Sequence, residues 1–393
     1  MSRLRVAALL ALSTWGLSFG GAFLPVVLAN GIGDLYAGAP SGVLELHVAS
    51  ASVVQGVSFV PAPVALAFSN DGRTLWAARG MRTLTRVDIE TISLGTSIDL
   101  PGPAVGVAVP RGTSVLVAIK QAKTLEIVDP TTATTKHSPP LPAAPDLVAA
   151  DHREPLAVAA RRGGDWIAVL DLAGNTTSIV KLEGLVRDVS VDGRRHVAFI
   201  VTAAPNRLWQ VQLRTSKVTE RIDLPVTPSM VAPLANGAVV SAGRQLWTVT
   251  SGPARQLAVV SYEITALSSS DDGALIYAGG LGGISALNTG GVLLREIILP
   301  AGVAPSALAP IPAQASLGPG AGPARGSRRG TTGTTGVPVT PVLKETATDP
   351  IRALLSQPLP VDRPLFGGIM IGIGVAVLLV SGGWFWRLGR RRS

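Results

Sequence analysis

A turn signal returns every 36 to 44 residues through the middle of this 393-residue chain, and that period constrains the fold more than any other feature. Gly72, Gly112, Gly193, Gly237 and Gly273 each precede a short apolar run rich in strand-forming residues. An irregular turn at 152–155 fills the gap between the second and third of these, and Gly33 adds a mark at the front, making seven. The second unit shows what one period contains. Residues 74–78, 83–88 and 95–100 read as three strands, and Pro101-Gly102-Pro103 turns the chain into a fourth at 104–109. Alternation of apolar and polar residues marks the middle strands as half-buried, whereas the near-continuous small-apolar run 104–109 suits a strand crowded on both faces. Four strands in about 40 residues make one blade of a propeller.

The first unit supplies only three strands, near 35–38, 43–48 and 53–59, while the last ends with a surplus run at 306–309. Pairing that run with the first three strands would complete a blade and remove both free sheet edges. The expected fold is therefore all-β, a seven-bladed propeller of four-stranded blades over 30–311, with one C-terminal transmembrane helix. The 44 Gly and 30 Pro residues agree with many short strands and tight turns.

The unit Asn70-Asp71-Gly72-Arg73-Thr74-Leu75-Trp76-Ala77-Ala78, followed by Leu84 to Asp88 and the 98–103 segment, resembles the repeat of YVTN-type bacterial β-propellers. The stretch from Asp272 to Ala278 resembles the first element of that repeat, and the one from Thr124 to Asp129 the second. The resemblance covers about 280 residues, departing from the pattern where Trp76 replaces the usual Tyr and where the sixth unit lacks the Asp strand. It implies seven blades and an extracytoplasmic location. It implies little about activity, because one fold hosts many functions.

The net charge of +9 raises the question of a nucleic-acid partner, but its distribution gives no support for one, and none is expected. Residues 31–311 hold 22 basic and 22 acidic side chains, so the excess lies at the two ends. Residues 1–29 join Arg3 and Arg5 to a long apolar run closing on Val27-Leu28-Ala29, the layout of a cleavable signal peptide, with an uncleaved anchor as the alternative given the length of the run and Pro25. Residues 312–364 form a Pro/Gly/Thr-rich stalk, too poor in apolar side chains to build a core. From 365 to 386 no charge interrupts the chain, enough to cross a hydrocarbon layer of about 30 Å. Phe366 lies near the start of that span, Trp384 and Trp386 suit its interface, and Arg387, Arg390, Arg391 and Arg392 mark 387–393 as a basic cytoplasmic tail. The expected location is a bacterial cell membrane crossed once, the propeller outside and the C-terminus inside. Gly368 and Gly372 fit the small-xxx-small spacing through which two such helices would associate as a weak dimer.

Chemistry is sparse. The chain has no Cys, which removes disulfides, thiolate nucleophiles and Cys-ligated metals. The four His, at 47, 137, 152 and 196, are not spaced as a metal pair and read as loop or surface residues. Asp71, Asp192 and Asp272 recur in step with the units, as expected of side chains that stabilise a turn. Trp76, Trp166, Trp209 and Trp247 fall in expected strands and read as packing between blades. The loop 161–165 offers Arg161 and Arg162 to an acidic partner or to solvent, and Arg187 beside Asp188 reads as a local ion pair. No catalytic residue, metal ligand or cofactor is assigned. The leading expectation is a membrane-anchored binding module for a protein or glycan ligand. Its alternative is a propeller enzyme, a lactonase-like hydrolase or quinone-dependent dehydrogenase, with a metal or cofactor in the funnel.

Overall fold

The computed structural model describes residues 35–250 and 252–312. The signal peptide, nearly all of the stalk, the transmembrane span and the basic tail, with Phe366, Gly368, Gly372, Trp384, Trp386, Arg387, Arg390, Arg391 and Arg392, lie outside the described residues. Among the described residues no helix is long and apolar enough to cross a membrane.

The described chain forms seven sheets, six of four strands and one whose outer strand is split in two. Each is an antiparallel meander, and blades two to seven take their strands in chain order. Their innermost strands are Ala65–Phe68, Ala104–Ala108, Leu147–Ala150, Leu185–Asp192, Met230–Leu234 and Ile264–Ser269. Blade one is assembled from both ends of the ring. Ala307–Pro310 pairs antiparallel with Leu35–Ala39, placing Ala37 opposite Leu308, and Gly42–His47 and Ser52–Ser58 follow outward. The surplus run thus sits one residue later than expected and closes the ring.

Closure is also visible in the packing. Seven apolar clusters fill seven spaces between neighbouring blades, one of them between the last blade and the first. There Leu35, Ala37 and Leu46 meet Tyr277, Ile284 and Ile297. The next residue along the first strand, Tyr36, turns the opposite way and packs with Phe68 and Leu75 of blade two. Successive side chains of a strand point to opposite faces, so a strand covered on both sides must be apolar throughout. Leu35–Ala39, Thr74–Ala78, Val115–Ile119 and Leu156–Ala160 are all fully buried. Trp76, Trp166 and Trp209 lie buried between blades as expected, and Trp247 is half-buried.

Blade two departs from expectation in its outer strand. Residues 95–100 do not form one strand; Ser93–Leu94 and Ile98–Asp99 pair separately with Thr83–Asp88. Between them the Gly95 N–H donates to the Arg86 carbonyl at 3.0 Å, and a Cβ on Gly95 would meet the Arg86 side chain at 3.0 Å. Gly95 thus lies close over the Arg86 side chain where the outer strand is interrupted.

Candidate functional site

The seven innermost strands line an axial channel with a cavity at each end, and Leu66, Val107, Val148, Val189 and Leu308 border both. The channel wall is thus mainly aliphatic. At the end where the inner strands begin, a cavity of about 570 Å³ opens as a mouth, with Asp146, Arg162, Asp188 and Thr265 as its principal polar side chains. At the end where the strands finish, the cavity is about 350 Å³.

Asp188 is half-buried in the mouth, and its Oδ2 accepts the Val231 N–H at 2.9 Å. Burial in aliphatic surroundings pushes its carboxyl up to about 6, against the opposing pull of that N–H and of the Arg162 charge. The expected pair with Arg187 does not form. A shift in strand register between Val186 and Asp188 separates the two, leaving Arg187 exposed and Asp188 on the axial cavity. Arg162 enters the mouth from the 161–165 loop, whose backbone N–H at Arg162 donates to Asp146 Oδ1 at 2.6 Å. The same loop carries Asp165, 3.2 Å from Lys181.

Turn-to-turn contacts bar part of the opposite end, and the cavity there is lined by His152 and Asp271. His152 Nε2, on the blade-four turn, lies 3.0 Å from Asp271 Oδ1 on the blade-seven turn, across a ring in which these blades are not neighbours. Arg194 of blade five donates to the Asp272 carbonyl of blade seven and, at 3.3 Å, to the Leu234 carbonyl of blade six. A Cβ on Gly193 would stand 2.8 Å from the His152 ring, so only glycine lets these turns approach so closely.

These contacts belong to a ring of equivalent turns. Asp71 Oδ1 accepts the Arg73 N–H, Asp192 Oδ1 that of Arg194, and Asp272 Oδ1 that of Ala274, the turn-stabilising role read from their spacing. Asp151 is a fourth member, accepting the N–H groups of Arg153 and Glu154. Sequence reasoning missed it because His152 stands where the other three turns have Gly. Burial would raise the carboxyl of Asp192, yet hydrogen bonds from Arg194 and Arg195 outweigh that and hold it below the usual range.

His196 joins this ring rather than standing alone in a loop. Its Nδ1 lies 2.6 Å from Asp151 Oδ2, and its Nε2 3.7 Å from Glu154 Oε1. Among the described residues this is the one group of three His or acidic side chains whose ligating atoms lie within 4.8 Å of one another. Every member is already engaged. Asp151 is fully buried and takes two backbone N–H groups besides the imidazole. The Arg214 guanidinium forks onto Glu154 and holds its carboxyl below the usual range. The trio therefore fits an inter-blade latch better than a metal site. His137 is exposed and pairs with Glu126, and His47 bonds the Ser50 hydroxyl.

A second groove, about 590 Å³, opens beside the mouth between blades three and four and shares Val105 and Asp146 with it. Lys120, Lys123 and Arg161 line it, opposite a wall of Ala143, Ala144 and Pro145.

The fold and its channel define a seven-bladed β-propeller with an aliphatic axis, a polar mouth and a partly barred opposite end. No protein-family model and no curated protein matches the chain. Solved structures do. The chain is similar to the Kuenenia stuttgartiensis hydrazine synthase, with a TM-score of 0.51 at 14% identity, covering 63% of this chain and 90% of that one. It is similar to the same degree to the β-propeller domain of Cps50 (Swd1) from Myceliophteria thermophila, with a TM-score of 0.51, 14% identity, and coverage of 63% and 89%. At such low identity the likeness shows the fold alone.

Proposed function

We propose that this protein is an exported binding module of the YVTN type, held at a bacterial membrane by residues 365–386 and presenting the mouth-bearing face of its propeller to a partner. The observation that carries this reading is the asymmetry of the channel. One end is spanned by His152 with Asp271 and by Arg194 with the Asp272 carbonyl, contacts between blades that are not neighbours in the ring. At the other, no such turn-to-turn contact is found among the described residues, and Asp188 and Arg162 line the cavity. The binding reading is also supported by the middle of the channel, which is walled by Leu66, Val107, Val148, Val189 and Leu308, its polar side chains being confined to the two ends. Among the described residues the one His/Asp/Glu trio lies in the turns, bonded to its own neighbours.

The absence of Cys gives a clean test of the exported arrangement. Leu281→Cys, on an exposed loop of the mouth face, should react with a membrane-impermeant maleimide in intact cells. The label should follow the membrane fraction and become soluble when residues 365–393 are deleted. Labelling only after cell lysis would contradict the proposal.

A further inference from the structure

We infer that the groove between blades three and four docks an acidic peptide segment, the Lys120, Lys123 and Arg161 side chains meeting its carboxylates. This rests on the binding-module reading and names the partner's chemistry. The described body is close to neutral, so a basic site on it requires charges to be gathered locally. Three cations line one groove against a single carboxylate, Asp146, one oxygen of which is taken by the Arg162 N–H. No ion pair or side-chain hydrogen bond engages Lys120, Lys123 or Arg161 among the described residues. Three other cations of the same face are engaged: Arg79 donates to the Val60 carbonyl, Arg82 to that of Pro101 and Arg244 to that of Val260. Those three trim the loops; the groove cations are left for something else.

The wall and the lining select the class of anion. Pro145 has no N–H, and the Leu141 N–H of the same Pro-rich loop is spent on the Lys123 carbonyl at 2.7 Å. The charged donors of the lining are the three side-chain cations, with the Gln121 amide beside them. No aromatic ring lines the groove, so nucleic-acid bases would find no stacking platform there. Sugar rings, which also favour aromatic faces, would find none either. Acidic side chains need neither, and two lysines act as mobile point charges that tolerate a variable chain. The occupant comes from another molecule, since the rest of this chain, 1–34 and 313–393, carries a net positive charge.

The test uses the full-length protein in detergent and a fluorescein-labelled peptide of alternating Asp and Glu, read by fluorescence anisotropy. Binding should be measurable at low ionic strength and weaken as salt rises. Lys120→Glu with Lys123→Glu should weaken it at least about tenfold, and Arg161→Glu by a similar factor. Arg255→Glu, exposed on an outer strand of blade six, should leave it unchanged. Unaltered melting temperatures show that the variants fold. Absent binding, equal binding by the groove variants, or tighter binding of an oligouronate or oligonucleotide of matched charge would each overturn the inference. Failure here with successful outside labelling of Leu281→Cys would remove the acidic partner and leave the exported module standing.

Discussion

Ser306 and Gly38, 268 positions apart, hold the two ends of the ring together: the Ser306 N–H donates to the Gly38 carbonyl at 2.9 Å. The Ser306 hydroxyl reaches on to the Pro63 carbonyl at 2.5 Å, so one residue joins the closing strand, the first strand and the entry to blade two. Gly38 is where these three meet. A Cβ there would stand 2.8 Å from Pro63 Cγ and 2.9 Å from Ser306 Oγ.

Gly38→Ala should therefore destabilise the ring by about 1–3 kcal/mol through overpacking. Ser306→Ala should cost about 1 kcal/mol through the lost hydroxyl donor. Denaturant titration of the full-length protein checks both, and the two losses should not add, because the residues touch.

The number of blades and their closure were legible because both rest on covalent periodicity. Turn residues recur in step, and a surplus apolar run at 306–309 has one place to go. The site was not legible. Asp188 and Arg187 are adjacent in sequence, and only a register shift decides that one lines the axis while the other faces solvent. Asp151 was hidden by His152 in a position its counterparts fill with Gly. The basic groove was hidden by a charge balance that cancels over 31–311, since a sum carries no information about which loops share a face.

Asp188 makes stability depend on pH with a sign opposite to that of most carboxylates. Its folded-state pKa is raised, to about 6 from 3.8, so the native state holds the proton more tightly than the unfolded chain. The carboxyl thus contributes fully below 3.8, loses that contribution as pH rises to about 6, and is a constant cost above. Asp188→Asn keeps an oxygen for the Val231 N–H and removes the charge. It should stabilise the protein by about 2 kcal/mol at neutral pH and by nothing near pH 4, read as the difference in melting temperature across that range.

The Asp151–His196 latch should behave as structure. Asp151→Ala removes an acceptor that satisfies two N–H groups and an imidazole, and should cost about 3 kcal/mol. His196→Ala should cost about 1–2 kcal/mol, since the buried carboxylate keeps its backbone donors. Thermal melts with and without EDTA should coincide for the unaltered protein. A chelator-dependent fall in melting temperature would reassign the trio as a metal centre.

Five turns between third and outer strands place a non-glycine residue at positive φ, at Ala51, Ile92, Ala133, Asn175 and Ser216. Ala133, at φ 53° and exposed, has no packing role to lose. Ala133→Gly should relieve left-handed strain and raise stability by about 0.5–1 kcal/mol, measured by thermal unfolding.

Whether the mouth-bearing face is the binding face can be read by photo-crosslinking from single cysteines in intact cells. A benzophenone maleimide on Leu281→Cys reports on the mouth face, and one on Ala133→Cys on the opposite face. Position 281 should yield a discrete cross-linked partner that is lost when Lys120 and Lys123 are reversed to Glu, and position 133 none. A partner captured from position 133 alone would contradict the assignment of binding to the mouth face.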